Sequence, residues 1–301
     1  MGPSGLTIAM NPKIAQQVYG WLLFIPAAIF FILFTHYPIV RSCFLSFFTT
    51  PRGSQAAAFV GLENYRYLID DPIFWQALKN NLIYAFGTIP VTISLAMLMA
   101  VWVNRQMAGR AFVRAAYFTP TILPMIAIAN IWLFFYTPGI GLFDNILKTL
   151  GYSGHNWLGD PDTALICLMV IAVWKDAGFF MIFYLAALQG LPKDVIEAGR
   201  IEGAGRFYFF RRVTFPLLMP TTVFVVFNAL INTFRIIDHI FILTKGGPDN
   251  ATELLLYYLF QTAFEFWDTA YAAVLTVVIM AILMTLALVQ FKVLERRTHY
   301  Q

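Results

Sequence analysis

The chain has 301 residues, of which 59% are hydrophobic and 12% charged, with a mean hydropathy of +0.70 and a formal net charge of +4. A soluble domain carries roughly 25% charged residues, so water is not its main solvent, and basic charge this scattered excludes a nucleic-acid reader. Cys43 and Cys167 both lie in apolar runs, which excludes a disulfide framework and a zinc cluster.

The first residues are polar, and Met10-Asn11 offers a second possible start. A helix needs about 20 mostly apolar residues to cross the hydrocarbon core, so runs free of Asp, Glu, Lys and Arg serve as a ruler. Five such runs cover 14–40, 80–104, 115–143, 213–234 and 269–291. The first exceeds the ~7 to 15 apolar residues of a cleaved leader and reads as a retained helix. A sixth run, 163–190, is long enough but carries Lys175 and Asp176 near its middle, where ionisable groups must face protein or water. The expected fold class is an all-α integral membrane bundle of six transmembrane helices. It is one domain, 17–295, with tails at 1–16 and 296–301. Pro90, Pro120, Pro124 and Pro220 lie inside these runs and predict kinks.

Six spans place both termini on one side. The termini and even-numbered loops hold Lys13, Arg105, Arg110, Arg114, Lys193, Arg200, Arg206, Arg211, Arg212, Lys292, Arg296 and Arg297. The odd loops hold Arg41, Arg52, Arg66, Lys79, Lys148 and Lys245. Twelve against six puts both ends in the cytoplasm of a bacterial inner membrane. The outer stretches, roughly 43–79, 138–160 and 239–267, then offer a docking surface.

Polar residues within the spans mark a pathway or glue helices together. Arg235 and Asp238 have i, i+3 spacing, and Lys175 adjoins Asp176, so ion pairs are expected, with direct solute contact the other reading. Asn228 and Asn232 lie four apart with Arg235 three further on, which predicts a polar stripe. Trp174, Phe179 and Tyr184 either stack on sugar rings or pack. Basic residues here raise the prospect of an anionic solute.

The loop 191–212 differs from the others. Pro192, Lys193 and Asp194 read as a helix start, and Ala198 and Gly199 present a small surface for a partner. Gly203 and Gly205 then break the helix, and Arg211-Arg212 return the chain to the membrane interface. Glu197-Ala198-Gly199, Ile201-Glu202-Gly203-Ala204, Phe210, Val213, Phe215-Pro216 and Pro220 resemble, at matching spacing, the EAA loop of binding-protein-dependent ABC importer permeases. Gly199, Glu202 and Phe215 stand where Ala, Asp and Leu are usual. Phe59 to Tyr65 with Phe74-Trp75 and Ala77 to Asn80 resembles the first external segment of the sugar-type members. Leu243 to Pro248 with Thr252, Tyr257 and Ala263-Phe264 resembles the last external loop of their maltose-type first permease or glycerol-3-phosphate A-like branch.

The resemblance spans roughly 17–295. It implies a heterodimer with a second permease, two cytoplasmic ATPase subunits, and a periplasmic or lipid-anchored solute-binding protein. It makes Glu197, Ala198, Gly199, Ile201, Glu202, Gly203 and Ala204 the ATPase-coupling helix, and Gly246, Gly247 and Pro248 a docking site for the binding protein. The candidate pathway residues are Trp174, Lys175, Asp176, Asn228, Asn232, Arg235 and Asp238. The implied cargo is a carbohydrate or a related polyol or glycerophosphate. No Gly-Lys pair followed by Ser or Thr occurs, as a phosphate-binding loop requires, so ATP and Mg²⁺ belong to the partner ATPase and this chain is expected to bind no cofactor or metal. His36, His155, His239 and His299 are dispersed and make no catalytic constellation. The alternative, an ion-coupled secondary transporter, needs a midplane carboxylate. Asp176 meets that need only loosely, and the 191–212 loop would be left unexplained.

Overall fold

A computed structural model describes residues 12–298 apart from 54, 106, 193, 195, 196 and 198–204. Among the described residues the architecture is helical: α1 (Pro12–Phe31), α2 (Tyr37–Leu45), α3 (Glu63–Asp70), α4 (Pro72–Val103), α5 (Arg110–Ile122), α6 (Met125–Tyr136), α7 (Leu142–Thr149), α8 (Pro161–Gln189), α9 (Phe207–Leu217), α10 (Met219–Thr233), α11 (Asp238–Leu243), α12 (Leu255–Phe260) and α13 (Thr269–Thr298). Four stretches are long and apolar enough to cross a membrane: Tyr19–Leu45, Pro72–Val103, Pro161–Gln189 and Thr269–Val293. The pairs α5/α6 and α9/α10 bend by 96° and 65°; counting each pair as one span gives six.

The bends follow from proline. Pro124 disfavours helical geometry at the residue before it, and Leu123 is extended at φ −70°, ψ 137°. The run 115–143, expected to kink at its prolines, begins earlier at Arg110, turns sharply at Leu123 just ahead of Pro124 and ends at Tyr136. Phe143 belongs to α7 on the loop-rich end. Pro220 sits in the first turn of α10, where its missing amide costs nothing. Pro90 and Pro120 stay inside continuous helices. Pro38 and Pro216 each lie two residues beyond a π turn, Ile32–His36 and Phe210–Thr214. A proline ring clashes with the carbonyl four residues back, and those carbonyls, of Phe34 and Arg212, fall inside the widened turns.

The helices α4 and α8 run side by side as the spine of the bundle. Each starts on an aspartate cap followed by proline: Asp71 accepts from the Ile73 amide at 2.9 Å and Asp160 from the Asp162 amide at 3.0 Å. The helix α4 begins eight residues before the charge-free run because Lys79 and the polar turn ahead of it remain helical outside the apolar stretch. Small buried residues, Ala96, Ala100, Ala164, Ala172 and Ala177, allow the close approach. At Gly178 any Cβ would strike the Tyr117 carbonyl of α5, so glycine is required there.

The loop-rich end is held by polar side chains of α4. Asn81 donates to the Thr233 carbonyl at the end of α10 (2.9 Å) and accepts from the Leu255 amide at the start of α12 (2.8 Å). Asn80 donates to the carbonyls of Asn250 and Glu253. Asp71 accepts from the hydroxyls of Tyr258 and Tyr271 at 2.6 and 2.5 Å. In contrast, α1 packs against no other part of the bundle: between Tyr19 and Val40 every described side chain except Ala28 is exposed.

Replacing Asn81 by Leu leaves a helix-end carbonyl and a helix-start amide buried without partners. We expect a loss of about 2–4 kcal/mol, seen as a lower melting temperature of the detergent-purified chain, whereas Asn81→Asp retains the acceptor for Leu255 and loses less.

Candidate functional site

The site follows from where the helices break. At the α5/α6 bend the Leu123 carbonyl loses its helical partner, and the Lys175 ammonium of α8 donates to it at 2.8 Å. The Thr121 hydroxyl of α5 donates back to the Lys175 carbonyl at 3.3 Å. A midspan lysine is thus held by a kink in the neighbouring helix. At the end of α10 the chain leaves helical geometry over Phe234 to Ile237 before α11 starts at Asp238.

Between these two breaks lies a cavity of about 410 Å³. The helix α4 contributes Tyr84, Thr88, Ile89 and Thr92; α6 its first residue, Met125; and α8 Ala172, Lys175, Asp176 and Phe180. The helix α10 and the following turn supply Ala229, Asn232, Thr233 and Arg235 to His239. Inside it Thr88 donates to the Tyr84 carbonyl at 2.7 Å, and the Tyr84 hydroxyl lies 3.3 Å from Nε2 of His239. The volume is at the small end of ligand sites, about 300–1,000 Å³. Carboxylates, amides, hydroxyls and two cations around one space suit a small polyhydroxylated molecule, because hydroxyls both donate and accept.

Five of the seven residues expected in a pathway line this cavity: Lys175, Asp176, Asn232, Arg235 and Asp238. Trp174 does not; it is turned to Trp132 in an edge-to-face pair at 5.7 Å. Asn228 stands one turn below, accepting from Asn232 at 3.4 Å, so the stripe of α10 exists but only its upper member reaches the space. The expected ion pairs are not formed. Among the described residues the one close contact between a basic side chain and a carboxylate is that of the His155 imidazole with Asp160, at 3.4 Å. Arg235 and Asp238 fail to pair because i, i+3 spacing brings side chains together only on a helix, and α10 stops at Thr233. Tyr84, Thr88, Thr92, Met125 and His239 were not anticipated. The first three repeat every four residues, a polar face legible in an otherwise apolar span.

Of the segment expected to couple to an ATPase, Glu197 is helical and exposed. Ala198, Gly199, Ile201, Glu202, Gly203 and Ala204 lie outside the described residues. Gly246, Gly247 and Pro248 form a compact turn after α11. Gly246 is buried at φ +81°, and a Cβ there would strike the Glu253 carboxylate. It shapes the loop, and the exposed side chains beside it are Lys245, Asp249 and Asn250. On α7, Asp144 accepts from the amides of Gly139 and His155 and from the Trp157 indole, and these bonds, the Gly139 amide first, hold its carboxyl below the usual range. Among the described residues no group of His, Cys, Asp and Glu is arranged to hold a metal.

Residues 71–300 match the family described as the binding-protein-dependent transport system inner membrane component. The chain belongs to this family. Relatives of this permease include the lactose transport system permease protein LacF of Rhizobium radiobacter, 33% identical, covering 93% of this chain and 95% of the relative. The sulfoquinovosyl glycerol transport system permease protein SmoG of Agrobacterium fabrum is 30% identical, with 94% and 92% covered. A crystal structure of a bacterial ABC transporter that imports the acidic polysaccharide alginate has a chain of the same fold, with TM-score 0.84, 20% identity, and 94% and 97% covered. The permease is thus a multi-pass membrane protein, and bent helix pairs around a polar cavity are the arrangement it uses.

Glu253 supplies a pH test of the loop between α11 and α12. It is buried, its Oε1 has no hydrogen-bond partner, and burial, with the Glu265 charge second, pushes its carboxyl up to about 8. In the unfolded chain it ionises in the ordinary carboxylate range, so the folded loop loses stability as pH rises from there through about 8. Glu253→Gln should flatten this dependence. Hydrogen exchange of residues 244–255 at pH 6 and pH 9 should show faster opening at pH 9 in the unsubstituted chain and no such change in the variant.

Proposed function

We propose that this permease is one of two membrane subunits of an ATP-driven importer that carries a carbohydrate, or a related polyol or glycerophosphate, delivered by a solute-binding protein. The observation that carries this reading is a charged cavity of about 410 Å³ at the meeting of the two bent helix pairs, in a chain of this family. Relatives named for lactose and for sulfoquinovosyl glycerol transport support the cargo class.

The excess of Lys and Arg in the termini and even loops places both ends in the cytoplasm. The loop-rich end, with α7, α11 and α12, then faces outward and receives the binding protein, with the turn around Gly246, Gly247 and Pro248 contributing. The segment Glu197 to Ala204 takes the force from two ATPase subunits that hold ATP and Mg²⁺; this chain does no chemistry of its own. A second permease subunit closes the other side of the pathway. The exposed apolar surface of α1 and the apolar channel along α4, α10 and α13 leave room for it and for lipid. Residues 1–16 and 296–301 are tails flanking the membrane domain. Closure of the ATPases would move α8 and α9, which flank the coupling segment, as rigid bodies.

Reversing the charge of Glu197 tests this. In vesicles containing the full complex, Glu197→Lys should reduce solute uptake about tenfold or more, on the scale of losing a charged hydrogen bond, while the amount of assembled chain in the membrane is unchanged. Uptake at the original rate, or uptake that follows an ion gradient and continues without ATP, would sink the proposal.

A further inference from the structure

The charges of the cavity divide into those the fold uses and those it leaves open. Lys175 is committed to the Leu123 carbonyl at 2.8 Å. Asp238 occupies the first turn of α11, where a carboxylate offsets the positive end of the helix. Arg235 has neither kind of duty. It sits in the turn between α10 and α11, lines the cavity, and among the described residues has no carboxylate within ion-pair distance, although Asp176 and Asp238 line the same space. Arg235 is exposed, so its guanidinium is open to a solute that enters the cavity. Its planar donors match a phosphate, sulfonate or carboxylate in bidentate fashion.

A second feature has the same sign. Met125, the first residue of the twelve-residue α6, lines the cavity. The hydrogen-bond ladder of α6 starts with the Ala127 and Ile128 amides on the Pro124 carbonyl, so the Met125 and Ile126 amides fall outside it. The positive end of this helix thus opens on the side of the cavity that Lys175 also borders. The same space is also lined by groups suited to hydroxyls: Asp176, Asn232, Tyr84 and His239.

We infer that the cavity takes a small polyhydroxylated solute bearing one anionic group, with Arg235 as the residue that selects the anion. This narrows the cargo and rests on the importer reading above. The size of the cavity, about 410 Å³, fits a solute of one or two sugar units rather than a polymer held whole.

The test uses the complete complex in lipid nanodiscs and vesicles with its own binding protein. The binding protein is screened by thermal shift against matched pairs, glucose 6-phosphate with glucose, galacturonate with galactose and glycerol 3-phosphate with glycerol. Each hit is then followed as stimulated ATP hydrolysis and as uptake. We expect the charged member of a pair to be carried at least tenfold faster than its neutral partner. Arg235→Gln should lower that uptake about tenfold, and Arg235→Lys should restore part of it. If a neutral member stimulates hydrolysis and is carried as fast as its charged partner, the inference fails while the importer reading stands. The same holds if Arg235→Gln carries the charged solute at the original rate. If no charged member of any pair stimulates hydrolysis, the inference fails, and the importer reading is decided separately by the Glu197→Lys and ATP-dependence tests above. The comparison within pairs is made on the unsubstituted complex, so it decides the question even if Arg235→Gln does not assemble.

Discussion

Two adjacent asparagines in an apolar helix hold the loop-rich end of this permease together. A hydrocarbon environment offers no water to an unpaired backbone group, yet α10 must end and α12 must begin inside the folded mass. Asn81 answers both needs with one side chain, giving its amide protons to the last carbonyl turn of α10 and its oxygen to the first amide of α12. Asn80, one position earlier, closes the loop between them through Asn250 and Glu253. Both residues are almost fully buried, at 3% and 1% exposure, so water cannot substitute for either. Without them the broken geometry from Phe234 to Ile237 would be unsupported, and that break places Arg235 in the cavity.

The same rule explains the inner wall. Pro124 forces the chain out of helix and strands the Leu123 carbonyl, and the partner is an ammonium carried on α8. A lysine at midspan is thus a structural answer to a proline on the neighbouring helix as well as a charge beside the pathway. Arg235 and Asp238 reach the cavity at a break, whereas the continuous helices α8 and α4 supply Lys175 with Asp176 and the hydroxyls of Tyr84, Thr88 and Thr92.

Much of this was legible in the sequence, and what was not has identifiable causes. Run length free of charge located the long helices, because the cost of burying a charge in lipid exceeds most local preferences. It placed the starts of α4 and α8 late, at 80 and 163, because charge-free run length passes over the Asp-Pro pairs at 71–72 and 160–161 that cap them. The prolines of the 115–143 run announced a kink, but composition misled about its size, since apolar content is blind to direction: Leu123 and Pro124 are as hydrophobic as a straight span requires while the chain turns by 96°. Arg235 and Asp238 misled for a related reason, their spacing being meaningful only if the helix continues past Thr233. The stripe of Tyr84, Thr88 and Thr92 was readable from its period of four, but hydroxyls cost too little to interrupt a charge-free run. Asn81 could not have been foreseen, because its partners are backbone groups 152 and 174 residues away in the chain. The coupling loop remains legible only in sequence.

The distribution of support also bears on how such a bundle can move. Polar bonds from Asp71, Asn80, Asn81 and Tyr84 tie α4 to α10, α11, α12 and α13, all toward one end. Toward the other end α4, α8 and α10 meet through apolar packing of residues such as Ala100, Tyr184, Leu188 and Leu218. Directional bonds resist shear, whereas packed methyl and ring surfaces slide at lower cost so long as they remain covered. A displacement entering near 191–212 would therefore be taken up first in α8 and α9, with the bends at Leu123 and Leu218 between it and the bonded end. The bend at Leu123 adjoins the cavity through Met125, so even a modest rotation there changes the distance between the face carrying Lys175 and the face carrying Arg235. Lys175, which satisfies the carbonyl stranded at one break, is thus also on one of the two faces whose separation such a rotation changes.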